Sequence, residues 1–171
     1  MVVSSLYRRL LISVDRASGF GGLEIPGSRI MCETEISILL IEDDDVAAES
    51  VRRSLVRNGV TFPLVWVEDG RTALEVLRGQ SPRAFVKRPR IVLLDLNLPR
   101  VDGFEFLSAV RSDKALHDDV VFVLTTSDAQ EDRERAYRGQ IAGYMVKSEV
   151  GPQFAKLAGL LSAYADAVCL P

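Results

Sequence analysis

Four apolar runs in this chain each end in a side chain suited to phosphate or metal chemistry. Ile36–Ile41 ends in the acidic cluster Glu42-Asp43-Asp44-Asp45, and Ile91–Leu94 ends in Asp95. Val120–Leu124 ends in the hydroxyl of Thr125, and Gly143–Val146 ends in the ammonium of Lys147. In an open parallel sheet such strand ends converge on one edge, where these folds hold their ligands. Carboxylates gathered there suit a hard divalent cation, Mg2+, which accepts one or two protein carboxylates and keeps several waters. The ammonium and hydroxyl suit the oxygens of a phosphoryl group. With a metal neutralising those oxygens, a carboxylate can approach phosphorus, and an acyl phosphate at Asp95 is the expected product.

Each residue also has a plainer use. Alone, Asp95 reads as a turn aspartate at a strand end. Two carboxylates brought together without a cation repel, and one pKa rises; a bound metal resolves this. Glu42 and Asp43 follow Ile41 directly and are placed for the metal, whereas Asp44 and Asp45 head the next helix, where acids favour the dipole. Thr125 and Lys147 are ordinary strand-end and surface residues singly, and a phosphoryl cradle together. Tyr144 is a β-former on a half-buried strand, and spacing gives it no further role. His117, the only histidine, lies in a polar stretch and reads as a surface residue. One histidine cannot make a His-based triad or an HExxH zinc site, and no phosphate loop or GxGxxG follows a strand.

The elements that must position these groups alternate. Strands are expected at Ile36–Ile41, Leu64–Val67, Ile91–Leu94, Val120–Thr125 and Tyr144–Val146. Helices are expected at about Val46–Asn58, burying Ala47, Val51 and Leu55, then at Arg71–Arg78, Phe104–Ser112, Gln130–Arg138 and Pro152–Ala167. The last helix carries the stripe Phe154, Leu157, Leu161, Tyr164 and Val168. It is longer than one sheet face needs, and Tyr164 and Val168 are its candidates for contact with a partner or a second copy. Residues 79–90 read as a polar loop. The pattern is a parallel α/β sandwich with right-handed crossovers, its central strands apolar on both faces.

At 171 residues, 47% hydrophobic and 26% charged, the chain is expected to hold one globular domain and little else. A net charge of −3 gives no reason to expect nucleic-acid or anionic-membrane binding. Cys32 and Cys169 show neither zinc spacing nor a disulfide framework, which points to a reducing cytoplasm. No apolar run approaches the length of a membrane span. Residues 1–35 hold five Gly or Pro between Gly19 and Gly27 and keep no sustained period. They are expected to form a disordered or weakly ordered leader, with a short helix over Ser5–Val14 on Leu6, Leu10 and Leu11. Residues 36–171 are expected to form the folded domain, with no output domain after it.

The segments LLIEDDD, IVLLDLNLPRVDG, VFVLTTS and AGYMVKS resemble, in order and spacing, the receiver domain of bacterial two-component response regulators. The likeness runs from Ile36 to the C-terminus and is greatest to single-domain regulators, among them those that accompany phytochrome-like sensor kinases. It implies a doubly wound, flavodoxin-like (βα)5 fold with strand order 2-1-3-4-5. It implies that Asp95 is the phosphoacceptor, that Asp43 binds Mg2+ directly, that Glu42 acts mainly through water and that Asn97 offers its backbone carbonyl to the metal. Thr125 and Lys147 would contact the phosphoryl oxygens, and Tyr144 would follow Thr125 between two rotamers. The implied partner is a sensor histidine kinase or a phosphotransfer protein, with a second copy of the chain as a further candidate. Two positions depart from the family pattern: Ser148 follows Lys147 where most receivers carry proline, and Gln140 stands where many carry glycine. Without proline the Lys147–Ser148 bond is expected to be trans, since a non-proline cis bond costs about 2.5–4 kcal/mol. Two other readings compete. Phosphatases with an aspartyl-phosphate intermediate carry a second aspartate as general acid, where this chain has Asn97. A receiver-shaped binding module that is never phosphorylated would be expected to lose part of the acid, Asp, Thr and Lys set.

Overall fold

A computed structural model describes residues 35–171. The leader, its Ser5–Val14 helix and Cys32 lie outside the described residues. The apolar runs become β1 (Ser37–Ile41), β2 (Leu64–Val67), β3 (Arg90–Leu94), β4 (Val120–Thr125) and β5 (Gly143–Val146). They pair in parallel in the order β2-β1-β3-β4-β5. Between and after them run α1 (Asp45–Arg57), α2 (Gly70–Leu77), α3 (Gly103–Ser112), α4 (Gln130–Arg138) and α5 (Ala155–Ala167).

Every residue of β1 and β3 is buried, because helices cover both faces of the central sheet. Alternate side chains feed two cores. Leu39, Ile41, Val92, Leu94 and Val123 meet α2 and α3 on one face; Ile38, Leu40, Ile91, Leu93 and Leu124 meet α1 and α5 on the other. After their polar first residues, Ser37 and Arg90, β1 and β3 are apolar at every position, and that is why they were visible as unbroken runs.

Several expectations shift. The inward alanine of α1 is Ala48, while Ala47 is only half-buried. The helix starts one residue early on an Asp44 cap, and this cap and Asp45 in the first turn match the dipole reading. The last helix begins at Ala155 rather than Pro152, because Gln153 and Phe154 take φ of 53° and 60° and break the right-handed run. Phe154 packs on the core from that position. Tyr164, a candidate for partner contact, is half-buried and packs on the core: its ring stands edge-on to Phe122, with centroids 5.2 Å apart and planes at 88°. Leu160 and Val168, 40% and 38% exposed, are the large apolar residues α5 and its C-cap leave to solvent.

The polar loop hides a buried ion cluster. Arg90 begins β3 at 6% exposure and donates to Asp119 through Nη2 at 2.7 Å and Nε at 3.2 Å. Arg88 reaches the same carboxylate at 2.7 Å. The β3–β4 register places Ile91 opposite Val120, so Arg90 and Asp119 flank one aligned pair. The Lys147–Ser148 bond is trans; the cis bond among the described residues is Arg88–Pro89. Gln140 takes φ of 57°, the left-handed conformation that explains glycine's use at that position.

Candidate functional site

The parallel sheet brings the ends of β1, β3, β4 and β5 to one edge. Hydrogen bonds continue past the strands: Glu42 N–H donates to Val67 O, Asp95 N–H to Ile41 O and Lys147 N–H to Thr125 O, at 3.0, 3.0 and 2.8 Å. Three of the four groups are therefore placed by ladder geometry rather than by loops. Lys147 Nζ lies 2.6 Å from Glu42 Oε2 and 2.7 Å from Asp95 Oδ2. Glu42 and Asp95 are 1% and 4% exposed, so this one ammonium is shared by two carboxylates that water barely reaches.

Burial raises the Glu42 pKa above the ordinary glutamate value, against the Lys147 hydrogen bond that lowers it. Burial alone would lower the Lys147 pKa, but the hydrogen bonds to Asp95 and Glu42 outweigh it and the net shift is upward. Lys147 thus stays charged, held as a fixed cation at the mouth of the site.

Asp43 is exposed and adds a third carboxylate; one oxygen from each of Glu42, Asp43 and Asp95 lies within 4.8 Å of the others. Opposite oxygens on an octahedral Mg2+ stand about 4.2 Å apart, so the set fits such an ion held partly through water. Asn97 donates its backbone N–H to Asp95 Oδ1 at 3.2 Å, and its side-chain amide to Thr126 Oγ1 at 3.2 Å. Thr125 is fully buried, its hydroxyl accepting from Ser127 N–H at 3.4 Å. Tyr144, half-buried, donates its hydroxyl to Ser127 O at 3.0 Å. Ser127 therefore links the two side chains, its N–H to Thr125 and its carbonyl to Tyr144. Burial raises the Tyr144 pKa above the usual phenol value, which keeps the hydroxyl a donor.

His117 is exposed, beside Asp118. One supporting residue escaped the sequence reading. Trp66, on the edge strand β2, donates its indole N–H to Glu42 O at 2.8 Å and so pins the acidic turn. A tryptophan two residues after the start of a four-residue strand offers no periodic signal for that. The only cue was that β2 must flank β1, whose end carries the acids.

The sequence comparison settles the family. The model of the response regulator receiver domain matches residues 38–157. This chain belongs to the response regulator receiver family. It is similar to the probable methanogenesis regulatory protein FilR2 of Methanothrix harundinacea, 39% identical over 71% of this chain and 77% of that one. It is also similar to the response regulator Rcp1 of Synechocystis, 33% identical over 78% of this chain and 92% of that one. The Mn2+-bound structure of Rcp1 superposes with a TM-score of 0.70 at 32% identity, covering 81% of this chain and 99% of that one. The phosphorylated cyanobacterial phytochrome response regulator RcpA gives 0.71 at 32% identity, covering 79% and 97%. The clustered carboxylates of Glu42, Asp43 and Asp95 are where this chain could hold a divalent ion.

Proposed function

We propose that this receiver accepts a phosphoryl group on Asp95 from a phosphohistidine of a sensor kinase or phosphotransfer protein, and signals through protein contacts. The observation that supports it is the Lys147 ammonium shared by Glu42 and Asp95, with Asp43 beside them and Thr125 on the next strand. A carboxylate oxygen of Asp95 attacks phosphorus; an O–P bond forms, the donor's N–P bond breaks, and its electron pair stays on the imidazole nitrogen. Glu42, Asp43 and Asp95 would hold Mg2+, with the Asn97 carbonyl, and the ion supplies neutralising charge to the phosphoryl oxygens. Lys147 gives the same service from the protein side without having to move far. Buried Thr125 offers its hydroxyl to the phosphoryl group, releasing Ser127 N–H. Ser127 then keeps its hydroxyl bond to Asp132, and through Ser127 O and Tyr144 this release couples the site to the β4–α4 surface.

The protein is not an enzyme acting on external substrates in this reading, since Asn97 cannot serve as the general acid that turnover needs. The test is incubation with acetyl phosphate and Mg2+, followed by intact mass. One acid-stable, base-labile phosphoryl group is expected, absent in Asp95→Asn and absent after EDTA. Similar labelling of Asp95→Asn would reject the assignment.

A further inference from the structure

Arg100 holds a backbone conformation that its own Cβ makes costly. Its φ is 71°, in the left-handed region that glycine takes readily and other residues take at a cost. It is the centre of a three-residue turn, closed by Val101 N–H donating to Pro99 O at 2.9 Å. An arginine where glycine would sit more easily points to a use for the side chain. That side chain donates through Nη2 to Asp69 Oδ2 at 2.6 Å.

Asp69 stands between β2 and α2, and its side chain is 4% exposed. It caps α2 without help from Arg100: Oδ1 accepts from Thr72 N–H and Oδ2 from the Thr72 hydroxyl, each at 2.9 Å. Burial alone would raise the Asp69 pKa, but the Thr72 bonds and the Arg100 charge outweigh it and the net shift is downward. The Arg100 bond is therefore surplus to the cap and serves the turn. Gly70, the next residue, comes so close to that turn that a Cβ on it would stand 2.8 Å from Val101 O. The end of β2 is itself tied to the acidic run, since Val67 O accepts from Glu42 N–H and Trp66 donates to Glu42 O. Through β2, the Arg100–Asp69 pair thus joins the turn that carries Glu42 and Asp43 to the connection that carries Asp95 and Asn97.

We propose that Arg100 is a positioning residue for the divalent ion: its bond to Asp69 fixes the turn at Pro99–Val101, and with it the Asn97 carbonyl, and so sets how tightly the ion is held. This rests on the reading that Glu42, Asp43, Asp95 and the Asn97 carbonyl hold Mg2+ for phosphoryl acceptance at Asp95. Arg100 acts through the backbone, since a guanidinium has no acceptor with which to ligate a cation. Its side chain is 65% exposed, where water and salt screen the charge, so the pair contributes little to stability and its geometric role is what remains.

The test is a double-mutant cycle on the full-length protein, with Mn2+ as the probe. Arg100→Gly removes the side chain and accepts the left-handed φ at no cost. Asp69→Asn keeps an oxygen for Thr72 N–H and removes the charge. Mn2+ affinity, read by electron paramagnetic resonance, should fall roughly three- to tenfold in each, less than for groups that bond a metal ligand directly. The double variant should be no weaker than either single one, because both remove the same bond. Arg100→Lys, which keeps a cation for Asp69, should recover most of the loss. Labelling by acetyl phosphate should need correspondingly more Mg2+ and reach the parent rate at saturation, a split that a merely structural role would not produce. Arg71→Ala, which removes an exposed pair with Glu75 on α2, should match the parent throughout. Should a single variant melt below the parent, the double variant, which leaves no buried charge unpaired, must show the same loss of affinity. Parental Mn2+ affinity in Arg100→Gly, losses that add in the double variant, or a labelling deficit that saturating Mg2+ leaves in place overturns the proposal. If the parent binds Mn2+ but takes no phosphoryl group, the reading of phosphoryl acceptance fails, and the Mn2+ cycle still decides the role of Arg100.

Discussion

Lys147 shows how much a single register decides. Its backbone continues the β4–β5 ladder through Thr125 O, and its side chain then reaches two carboxylates from two other strands. The acids, the threonine and the lysine were legible because each ends an apolar run. What could not be read was which acids Lys147 touches, since that depends on strand order rather than on the residues themselves. Trp66 was equally hidden, and it carries a prediction. Its indole N–H is the side-chain donor to the Glu42 carbonyl, so Trp66→Phe keeps the ring and frees the acidic turn. Outer-shell partners of metal ligands typically carry ten- to a hundredfold in affinity, and roughly tenfold weaker Mn2+ binding is expected, read by electron paramagnetic resonance. An unchanged affinity in a variant that melts like the parent would remove Trp66 from the site's support.

Helix entry is where the elements meet the chemistry. Asp102 caps α3 by accepting from Glu105 N–H at 2.8 Å, while Glu105 Oε2 accepts from Asp102 N–H at 3.1 Å. The next residue, Gly103, donates to Leu96 O at 3.0 Å, so α3 begins against the turn that follows Asp95. A Cβ at Gly103 would stand 2.6 Å from Leu96 Cα and 2.7 Å from Asp95 O, both backbone atoms that cannot swing aside. Loss of the cap in Asp102→Ala should cost about 1 kcal/mol in urea denaturation and leave phosphorylation intact. Gly103→Ala should cost about 1–3 kcal/mol by overpacking and also slow phosphoryl acceptance, because the strain falls on the Asp95 peptide. If Gly103→Ala proves as stable and as reactive as Asp102→Ala, the tight approach has no functional weight. In the sequence Gly103 is only the last residue of IVLLDLNLPRVDG; the fold shows what it lies against. The start of α5 was illegible for a related reason, since left-handed Gln153 and Phe154 break a run whose composition reads as helix. Arg90 and Asp119 were invisible singly because a charge beside a loop reads as solvated, and only the β3–β4 register joins them.

At the scale of the whole molecule the two sheet edges differ in kind. The acids gather at one edge around Lys147, and the basic stretch 78–90 lies at the other, paired in part with Asp113 and Asp119. Among residues 35–171 both cores draw on side chains from Ile36 onward, and Ser37 N–H donates to Pro89 O. Among these residues no buried side-chain nitrogen or oxygen lacks a partner. Residues 1–30 bring glycine and proline where a packed segment would need a sustained apolar period, and ordering each residue costs on the order of 1–2 kcal/mol. A chain beginning at Met31 should therefore unfold within about 2 °C of the full-length protein, since 1 kcal/mol moves the midpoint by several degrees in a domain of this size. It should also take phosphate from acetyl phosphate at an unchanged rate, because Glu42, Asp43, Asp95, Thr125 and Lys147 all lie after that start. Calorimetry and the intact-mass time course check the two halves separately. A lower midpoint with an unchanged rate would assign the leader a purely structural role through Leu6, Leu10 and Leu11. A slower rate at an unchanged midpoint would instead make residues 1–30 part of how the acidic edge is reached.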